Sequence, residues 1–319
     1  MAGEFALIDR YFARPTPQAV LGPGDDCALI APRAGCELAI TTDMLVEGTH
    51  FLPGTDPEAL GWKTLAVNLS DLAAMGAVPR WVLLAGSLPK ADPVWLEGFA
   101  RGFFALATEY GVDLIGGDTT RGPLNLCVTA MGEVPCGTAL RRDGAQPGDD
   151  LWVSGRPGLA ALGLADLQGT LSLPEELRVI CWQALHRPQP RLALGQFLRG
   201  LATAAIDVSD GLLADLNHIL RRSHCAVDVP LAALPALPLG VDTEKARQAQ
   251  LAGGDDYELI FTAAPVQRHL IENFAKLSAL PLTRIGSLRV EQAGEHSLRV
   301  FDVSGAPFHL DRLGYDHFA

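Results

Sequence analysis

The chain has 319 residues, of which 48% are hydrophobic and 19% are charged, and its formal net charge is −12. This length exceeds the usual size of a single hydrophobic core, so two domains are expected, and the composition is typical of a compact globular protein. The acidic balance argues against a nucleic-acid partner, which would need basic surface to neutralise phosphates. An acidic protein that binds an anion must bring cations to the site.

Six cysteines are spread along the chain with no C-x-x-C pair and no histidine at zinc-finger spacing, at positions 27, 36, 127, 136, 181 and 225. This pattern favours reduced thiols of a cytosolic protein over disulfides or a metal site. No apolar run approaches the roughly 20 residues that span a bilayer. The N-terminus places Glu4, Asp9 and Arg10 among apolar residues at helical spacing, unlike a signal peptide. We therefore expect a cytoplasmic protein without a membrane partner.

The first half of the chain alternates between strand-like and helix-like segments. One helix is predicted from Asp56, a suitable N-cap, with Pro57 at its first position. A second helix is predicted to begin at Asp92 and Pro93 and to end at Gly111. The strand-like segments of this half are residues 38–42, 81–88, 112–115 and 124–134. Together they predict a β-rich α+β half.

A domain boundary is predicted within residues 135–150, where three glycines and a proline interrupt a polar stretch. We expect the two domains to comprise residues 1–137 and residues 138–319. In the second half, strand-like segments are followed by helix-like ones, with strands predicted at 151–154, 204–208 and 259–262 and helices at 212–222 and 266–277. This half is therefore expected to be a separate α/β domain.

Five short motifs combine acidic residues with glycine, threonine or serine. The most informative is Gly-Gly-Asp-Thr-Thr-Arg-Gly at residues 116–122, which directly follows the apolar residues 112–115 and is expected to form a ligand-holding loop. The other four motifs are residues 24–26, 41–43, 207–211 and 253–256. Each motif is expected to place an acid at the end of a strand.

The aspartates of these motifs, together with one in the first predicted helix, suggest a magnesium site. Carboxylates are hard oxygen ligands, which suit Mg²⁺ rather than zinc or copper. Clustered carboxylates repel one another without a metal, whereas bound Mg²⁺ turns the same pocket into a receptor for polyphosphate. The candidate ligands are Asp26, Asp43, Asp71, Asp118, Asp207 and Asp210.

Four of these acids also have a structural interpretation. Asp26 could shape a turn, Asp43 could cap the next segment, and Asp210 could be the N-cap of the helix that follows it. Asp71 lies among leucine, alanine and methionine residues of a predicted helix, which suggests burial, and a buried acid needs a partner. An N-cap role for Asp210 would leave Asp207 unexplained.

Several familiar catalytic signatures are missing from the sequence. There is no Walker-type G-x-x-x-x-G-K-[ST] segment and no H-R-D or D-F-G set of the protein-kinase type. Ser154 lacks the G-x-S-x-G context of a nucleophile elbow. His50 lies near Asp43 in sequence, but a lone histidine is more often a structural residue.

The ordered set of motifs resembles the thiamine-monophosphate kinase family. The resemblance covers nearly the whole chain and depends on the combination rather than on any one motif. The segments that match are residues 22–28, 41–43, 48–51, 67–76, 116–120, 206–212 and 314–318.

This resemblance implies the two-domain α/β fold of aminoimidazole ribonucleotide synthetase, with an N-terminal domain that binds ATP and magnesium and forms a homodimer through its sheet. A C-terminal domain would close the active-site cleft. The implied reaction converts ATP and thiamine monophosphate into ADP and thiamine diphosphate, assisted by several Mg²⁺ ions.

The resemblance also implies a role for individual residues. The magnesium positions are Asp26, Thr41, Thr42, Asp43, Asp71, Asp118, Asp207 and Asp210, of which Asp43, Asp71, Asp118 and Asp210 are also assigned to catalysis. The nucleotide contacts are Gly117, Asp118, Arg142 and Ser209. The contacts to thiamine monophosphate are His50, Asp255 and Tyr315.

One position departs from the family pattern. The family commonly has glutamate where this chain has Asp255, whose side chain is shorter by one methylene, so its substrate contact is expected to need a bridging water. Two other functions remain open at this point. One is a sister synthetase of the same fold that makes a purine intermediate or selenophosphate, and the other is a non-catalytic sensor of nucleotide and thiamine phosphate.

Overall fold

The computed structural model describes residues 4–236 and 240–318 of the chain. They divide into two compact units, which we call the N-terminal unit and the C-terminal unit. The N-terminal unit comprises the residues up to Ala73 together with Ala77–Ala139. The C-terminal unit comprises Ala74–Gly76 together with the residues from Leu140 onwards.

A four-stranded mixed sheet forms the centre of the N-terminal unit. Its elements in chain order are α1 (Glu4–Tyr11), β1 (Cys36–Val46), α2 (Pro57–Ala74), β2 (Val78–Leu88), α3 (Pro93–Tyr110), β3 (Asp113–Arg121) and β4 (Asn125–Pro135). The strand order is β1-β4-β2-β3. Strand β4 is antiparallel to both of its neighbours, whereas β3 is parallel to β2. Consequently β1 and β3 are the two outer strands.

The helix ends of this unit follow from local sequence signals. The carboxylate of Asp56 accepts a hydrogen bond from the N–H of Ala59 at 2.9 Å, which fixes the first turn of α2. The carboxylate of Asp92 caps α3 by accepting from the N–H of Val94 at 3.1 Å. Gly111 ends α3 in the left-handed conformation, with a φ of 62°. Both predicted helices are therefore confirmed.

Two glycines allow α2 and α3 to pack backbone against backbone. A Cβ atom on Gly61 would lie 2.0 Å from the carbonyl oxygen of Phe99, and one on Gly102 would lie 1.8 Å from that of Glu58. Neither position can hold a side chain without separating the helices. The close crossing fixes the position of α2, which carries several residues of the candidate site.

A six-stranded sheet forms the centre of the C-terminal unit. Its elements are β5 (Asp150–Ser154), α4 (Leu159–Leu167), α5 (Glu175–His186), α6 (Leu192–Leu198), β6 (Ala202–Asp207), α7 (Leu212–Ser223), β7 (Cys225–Pro230), α8 (Thr243–Ala252), β8 (Leu259–Ala263), α9 (Arg268–Ser278), β9 (Leu282–Val290) and β10 (Leu298–Phe301). The strand order is β10-β7-β9-β5-β8-β6. The sheet is antiparallel except for the parallel pair of β10 and β7.

Helix α7 supplies much of the core of this unit. Its buried apolar residues recur at helical spacing and belong to one cluster with the sheet, and they are Leu212, Leu213, Leu216, Ile219 and Leu220. This packing anchors the helix that follows the predicted ligand loop at residues 207–211. None of the described helices is long and apolar enough to cross a lipid bilayer.

The sequence predicted some elements of the C-terminal unit and missed others. The strands expected at 151–154, 204–208 and 259–262 are confirmed as β5, β6 and β8, and the helices expected at 212–222 and 266–277 are confirmed as α7 and α9. Helix α4 gave little signal because it begins after Gly158 without a side-chain cap. The other missed elements are α5, α6, α8, β7, β9 and β10.

The segment expected to form a loop at residues 116–122 is instead mostly strand. Strand β3 runs through Arg121 and pairs with β2 as far as Leu88. The prediction was wrong because hydrogen bonds from β2 hold this polar, glycine-rich sequence extended, despite its weak strand propensity. The register between the two strands shifts between Val82 and Leu83, so that Ile115 is an extra residue of β3 just before the glycines.

Candidate active site

The first group of predicted site residues lies in the middle of β1. Thr41, Thr42 and Asp43 belong to a strand that pairs with β4 over Cys36–Val46, so the expectation that the strand ends at Thr42, with Asp43 just after it, is wrong. The strand continues beyond them because Leu45, only 3% exposed, anchors its far end in the core. Their backbone is therefore fixed by ladder hydrogen bonds on an outer strand.

Helix α2 holds two polar side chains against this part of β1. The Oδ1 of Asn68, which is fully buried, accepts from the N–H of Asp43 at 2.9 Å, while its amide group donates to the carbonyl of Thr64. The hydroxyl of Thr41 donates to the carboxylate of Asp71. Asp71 is half-buried rather than buried, since its side chain is directed to this hydroxyl on the sheet. The carboxylate keeps a partner and some contact with solvent.

The three residues of the β1 motif do not share one face of the sheet. Successive side chains of a strand alternate, so Thr41 and Asp43 project to the side of α2 and Thr42 projects to the other side. The hydroxyl of Thr42 donates to the carbonyl of Val128 at 3.0 Å. It also lies 3.1 Å from the hydroxyl of Thr129. The predicted magnesium ligands of β1 are thus divided between two faces.

Asp118 lies at the opposite edge of the same sheet. Strand pairing places Asp43, Val128, Leu84 and Gly117 in one row across the four strands, and Asp118 follows Gly117. Three strand spacings of about 4.8 Å separate the two outer strands by roughly 14 Å. Two oxygen ligands of one Mg²⁺ lie within about 4 Å of each other. Asp43 and Asp118 of one chain therefore cannot ligate the same ion.

Gly117 is required by its position in β3. Its φ is 151°, and a Cβ atom there would lie 1.8 Å from the carbonyl oxygen of Leu84. The residue can approach the neighbouring strand only because it has no side chain. Asp118 beside it is exposed. The exposed backbone at Gly117 and Asp118 is compatible with a contact to a nucleotide, and that contact remains a prediction.

Asp26 lies in a short turn of the N-terminal unit. Leu21 and Leu29 on either side of the turn form an antiparallel bridge, and the N–H of Asp26 donates to the carboxylate of Asp25 at 3.0 Å. Asp26 itself is exposed. Apolar residues beside the turn pack on the sheet face opposite to Thr41, against Trp81, Ile115 and Met131. The structural role as a turn residue is thus observed, and ligation remains a prediction.

His50 has a hydrogen bond within its own segment. Its Nδ1 accepts from the N–H of Val46 at 3.0 Å, and the residue is half-buried. This bond uses one ring nitrogen to close the turn after β1. The structural interpretation of His50 is therefore observed, while its substrate contact remains a prediction.

In the C-terminal unit, the predicted ligands lie on the loop between β6 and α7. Asp207 ends β6 and is 4% exposed, Ser209 is exposed, and Asp210 is half-buried. The N-cap of α7 is Gly211, and it has no side-chain cap bond. The alternative role of Asp210 as the side-chain N-cap is therefore wrong, because another carboxylate takes the free N–H groups.

That carboxylate belongs to Asp215, which the sequence analysis did not single out. Its Oδ2 accepts from the N–H groups of Ser209, Asp210 and Gly211 at 3.0, 3.0 and 3.1 Å. Burial raises the pKa of Asp215 to about 7, and the charge of Asp210 acts in the same direction, while these hydrogen bonds oppose it. The only signal in the sequence was an acid in the first turns of α7.

The segment that precedes β8 lies against this loop. The N–H of Asp255 donates to the carbonyl of Ser209 and that of Tyr257 donates to the carbonyl of Val208, both at 2.8 Å. The hydroxyl of Tyr257 donates to the carboxylate of Asp255 at 3.0 Å. The motif follows helix α8 rather than a strand, so that expectation was wrong; Gly253 serves as the C-cap of that helix.

The backbone of this segment adopts unusual angles. Asp255 and Tyr257 have φ values of 69° and 51°, which residues other than glycine rarely adopt. A Cβ atom on Gly254 would lie 2.5 Å from the carbonyl oxygen of Ser209. Strained backbone of this kind persists where surrounding contacts fix it, and such positions cluster at functional sites.

Tyr315 completes the cluster from the C-terminal end of the chain. Its N–H donates to the carbonyl of Asp210 at 2.9 Å, and its side chain is 52% exposed beside the ring of His317. A Cβ atom on Gly314 would lie 2.5 Å from that of Ala214 in α7. Gly314 therefore allows this segment to pack closely against α7. The aromatic ring of Tyr315 remains available for a ligand.

Arg142 lies near α7 in the same unit. Its carbonyl accepts from the hydroxyl of Ser223 at 2.8 Å, and its side chain is exposed. The pKa of His218 is lowered by burial and then by the positive charge of Arg142. The predicted nucleotide contact thus lies beside the C-terminal end of α7, the helix that begins at the ligand loop.

A second buried carboxylate supports the base of the loop. Glu258 accepts from the guanidinium of Arg191 at 2.7 and 2.5 Å and from the hydroxyl of Ser154 at 2.5 Å. The carbonyl of Glu258 also accepts from the N–H of Val208 at 2.8 Å. Sequence reasoning missed this network because its members are far apart in the chain.

The donor chemistry of the site fits Mg²⁺. Among residues 4–236 and 240–318, no three His, Cys, Asp or Glu residues form a group that could hold a metal ion. Mg²⁺ commonly retains several waters and takes only one or two carboxylates, so such a group is not required. The candidate metal ligands offer only carboxylate and hydroxyl oxygens. The hydrogen bond from Thr41 to Asp71 places one oxygen of each kind side by side.

Comparison with known proteins identifies relatives over the whole chain. Residues 24–134 match the family model for the N-terminal domain of AIR synthase related protein. The chain is 47% identical to thiamine-monophosphate kinase of Salmonella typhimurium over 99% of this chain and 98% of the relative.

Two solved structures have the same fold. The thiamine-monophosphate kinase structure from Stenotrophomonas maltophilia has a TM-score of 0.85 and 51% identity, covering 93% of this chain and 96% of that chain. The complex of AaThiL with AMPPCP and TMP has a TM-score of 0.77 and 29% identity, covering 99% and 97%.

Proposed function

The chain belongs to the thiamine-monophosphate kinase family and has its two-domain α/β fold, and we propose that it transfers the terminal phosphoryl group of ATP directly to thiamine monophosphate. The products are ADP and thiamine diphosphate. One observation supports this assignment most strongly. The loop of residues 207–211 is hydrogen-bonded to the segments of Asp255 and Tyr315, so candidate metal, nucleotide and substrate residues form one cluster.

The substrates proposed here are those bound in a related structure. The AaThiL structure contains AMPPCP, an ATP analogue, together with TMP. In this chain, Gly117, Asp118, Arg142 and Ser209 are assigned to the nucleotide. His50, Asp255 and Tyr315 are assigned to thiamine monophosphate.

We assign the metal ligands to more than one Mg²⁺ ion. The spacing of roughly 14 Å between the outer strands that carry Asp43 and Asp118 supports this assignment, because one ion cannot reach both residues within one chain. The remaining ligands of the set are Asp26, Thr41, Thr42, Asp71, Asp207 and Asp210. Bound Mg²⁺ would neutralise the phosphates of two anionic substrates and stabilise the charge that develops during transfer.

The chain itself supplies positioning for an in-line transfer. The attacking group is a phosphate oxygen of thiamine monophosphate, which is largely deprotonated near neutral pH because its second pKa is about 6. No side chain is therefore needed as a general base. Asp255 is held by the hydroxyl of Tyr257 and by its own backbone bond to Ser209, so its carboxylate has a fixed place before substrate arrives. Tyr315 offers an aromatic face to the cationic thiazolium ring.

A homodimer is proposed from exposed apolar side chains on the outer strand β1. Leu38, Ile40 and Met44 of β1 lie on the same face of the sheet, and they are 36%, 62% and 50% exposed. A row of apolar side chains on an outer strand is unusual for a surface that stays in water. We assign this face to a second copy of the chain.

A single incubation tests the proposed activity. The full-length chain is mixed with ATP, MgCl₂ and thiamine monophosphate, and chromatography follows thiamine diphosphate and ADP. We expect both products in equal amounts, and only when Mg²⁺ is present. Absence of thiamine diphosphate, with or without ADP from ATP hydrolysis, would contradict the kinase assignment, and binding of both ligands without any ADP would indicate a sensor.

Two variants serve as controls for that incubation. Asp210→Asn removes a proposed magnesium ligand and should abolish most of the turnover. Asp9→Asn removes the same charge from an exposed position of α1 and should leave turnover unchanged.

A further inference from the structure

Three consecutive backbone N–H groups converge on one oxygen atom of Asp215. The donors are Ser209, Asp210 and Gly211, at 3.0, 3.0 and 3.1 Å from Oδ2. Asp215 is only 3% exposed, so water cannot replace these bonds. Successive N–H groups that point into one concavity form an anion-binding arrangement. Here the anion is a side chain of the protein itself.

The opposite side of the same loop faces the segments that contain Asp255 and Tyr315, the residues assigned to thiamine monophosphate. The carbonyl of Ser209 accepts from the N–H of Asp255 at 2.8 Å, and the carbonyl of Asp210 accepts from the N–H of Tyr315 at 2.9 Å. A planar peptide that turns its N–H toward Asp215 directs its carbonyl away from it. The carboxylate that fixes the N–H groups therefore also fixes the acceptors for both segments.

We propose that Asp215 is a positioning residue that aligns Ser209, Asp210, Asp255 and Tyr315 for the two substrates. The inference rests on the proposed function, since it assigns those four residues to the ligands. Asp215 itself touches neither substrate, because its carboxylate lies beneath the loop. Removing it would free three N–H groups and let the loop turn.

A purely structural helix cap predicts a different outcome. A cap contributes stability, typically about 1 kcal/mol, and its loss lowers the melting temperature without changing the affinity for substrate. A positioning residue also changes the Michaelis constant for thiamine monophosphate, since Asp255 and Tyr315 lose their place. The two roles are therefore separable by kinetics on folded protein.

The test compares Asp215→Ala with a matched variant elsewhere in the C-terminal unit. Asp166 also accepts a backbone N–H bond, from Leu173 at 2.8 Å, and it pairs with Arg178. Asp166→Ala should therefore lower thermal stability without touching the candidate site. Both variants are assayed with ATP, MgCl₂ and thiamine monophosphate at a temperature where circular dichroism shows them folded.

We expect Asp215→Ala to raise the KM for thiamine monophosphate by about 10-fold or more and to lower kcat, and Asp166→Ala to keep KM within about twofold. Asp215→Asn, which retains an acceptor oxygen, should recover most of the affinity. If Asp215→Ala does not fold, Asp215→Glu decides, because it keeps the charge but displaces the acceptor by one methylene and should also raise KM.

A KM within twofold of the unmodified protein in the folded Asp215 variant would overturn the proposal. An equal change in KM for Asp166→Ala would overturn it as well, because the effect would then reflect general destabilisation. If the unmodified protein makes no thiamine diphosphate, the proposed function fails first. The two failures are thus distinguishable.

Discussion

The two units hold their candidate site residues in different ways. In the N-terminal unit, Asp43, Asp71 and Asp118 stand on strands and a helix whose backbones are fixed by their own ladders. In the C-terminal unit, the corresponding residues stand on a loop and two irregular segments. These are held together by hydrogen bonds between segments and by the buried carboxylate of Asp215. The N-terminal ligands therefore depend on the sheet, whereas the C-terminal ligands depend on a few specific polar contacts.

The two arrangements also differ in how far they spread their ligands. Across the N-terminal sheet, Asp43 and Asp118 lie on opposite outer strands. In the C-terminal unit, single hydrogen bonds link Asp255 and Tyr315 to adjacent residues of one loop. We therefore expect the substitution of a ligand side chain in the N-terminal unit to remove that ligand without displacing the other candidate site residues.

The largest effect is expected from Asp43→Asn. The hydrogen bond to Asn68 uses the backbone N–H of Asp43, so the fold should be kept while a metal ligand is lost. Turnover should fall by roughly 10² or more. Steady-state kinetics at saturating Mg²⁺ measures this, with Asp9→Asn as the charge-matched control. Turnover near that of the unmodified protein would remove Asp43 from the metal set.

The next effect concerns metal removal and nucleotide affinity. Unit charges about 4 Å apart interact by roughly 4 kcal/mol at an effective dielectric of 20, so unneutralised carboxylates should repel ATP strongly. Calorimetric titration with ATP should show affinity collapsing in EDTA and returning when Mg²⁺ is restored. Equal affinity for ATP with EDTA and with Mg²⁺ would contradict the proposal that Mg²⁺ links the carboxylates of either unit to the phosphates of ATP.

Gly117→Ala tests how far the N-terminal site depends on its sheet. The added Cβ would lie 1.8 Å from the carbonyl of Leu84, so β2 and β3 must move apart. We expect a loss of about 2 to 4 kcal/mol in the free energy of unfolding, measured by urea titration. The control is Gly305→Ala, whose φ of 85° is also left-handed but whose Cβ meets nothing within 4 Å. That change should cost only roughly 1 to 2 kcal/mol. Equal losses would show that β3 tolerates the side chain.

The smallest effect is expected from Tyr315→Ala. The backbone bond to Asp210 remains and the side chain is 52% exposed, so thermal stability should change little. The KM for thiamine monophosphate should rise by about 2- to 30-fold, which corresponds to roughly 0.5 to 2 kcal/mol of lost ring contact, while ATP affinity stays the same. Phe318→Ala, at a fully exposed position, is the control. A loss of stability without a change in KM would make Tyr315 a packing residue.

Local features of this protein could be predicted from its sequence. Capping aspartates and a terminal glycine located α2 and α3, because these signals act within one helical turn. Apolar runs located β2, β5, β6 and β8. The ordered motifs identified the family, and with it the reaction, because the combination of side chains is specific even where each motif alone is weak.

The tertiary structure decided where those motifs lie and what holds them. Residues 116–122 became strand because β2 supplied hydrogen-bond partners, and Asp43 and Asp118 were separated because strand order brings β4 and β2 between them. Asp215 gained its role only when its helix packed under the loop and excluded water. Strand order, pairing and burial depend on contacts between residues distant in sequence, and no local pattern of side chains specifies them.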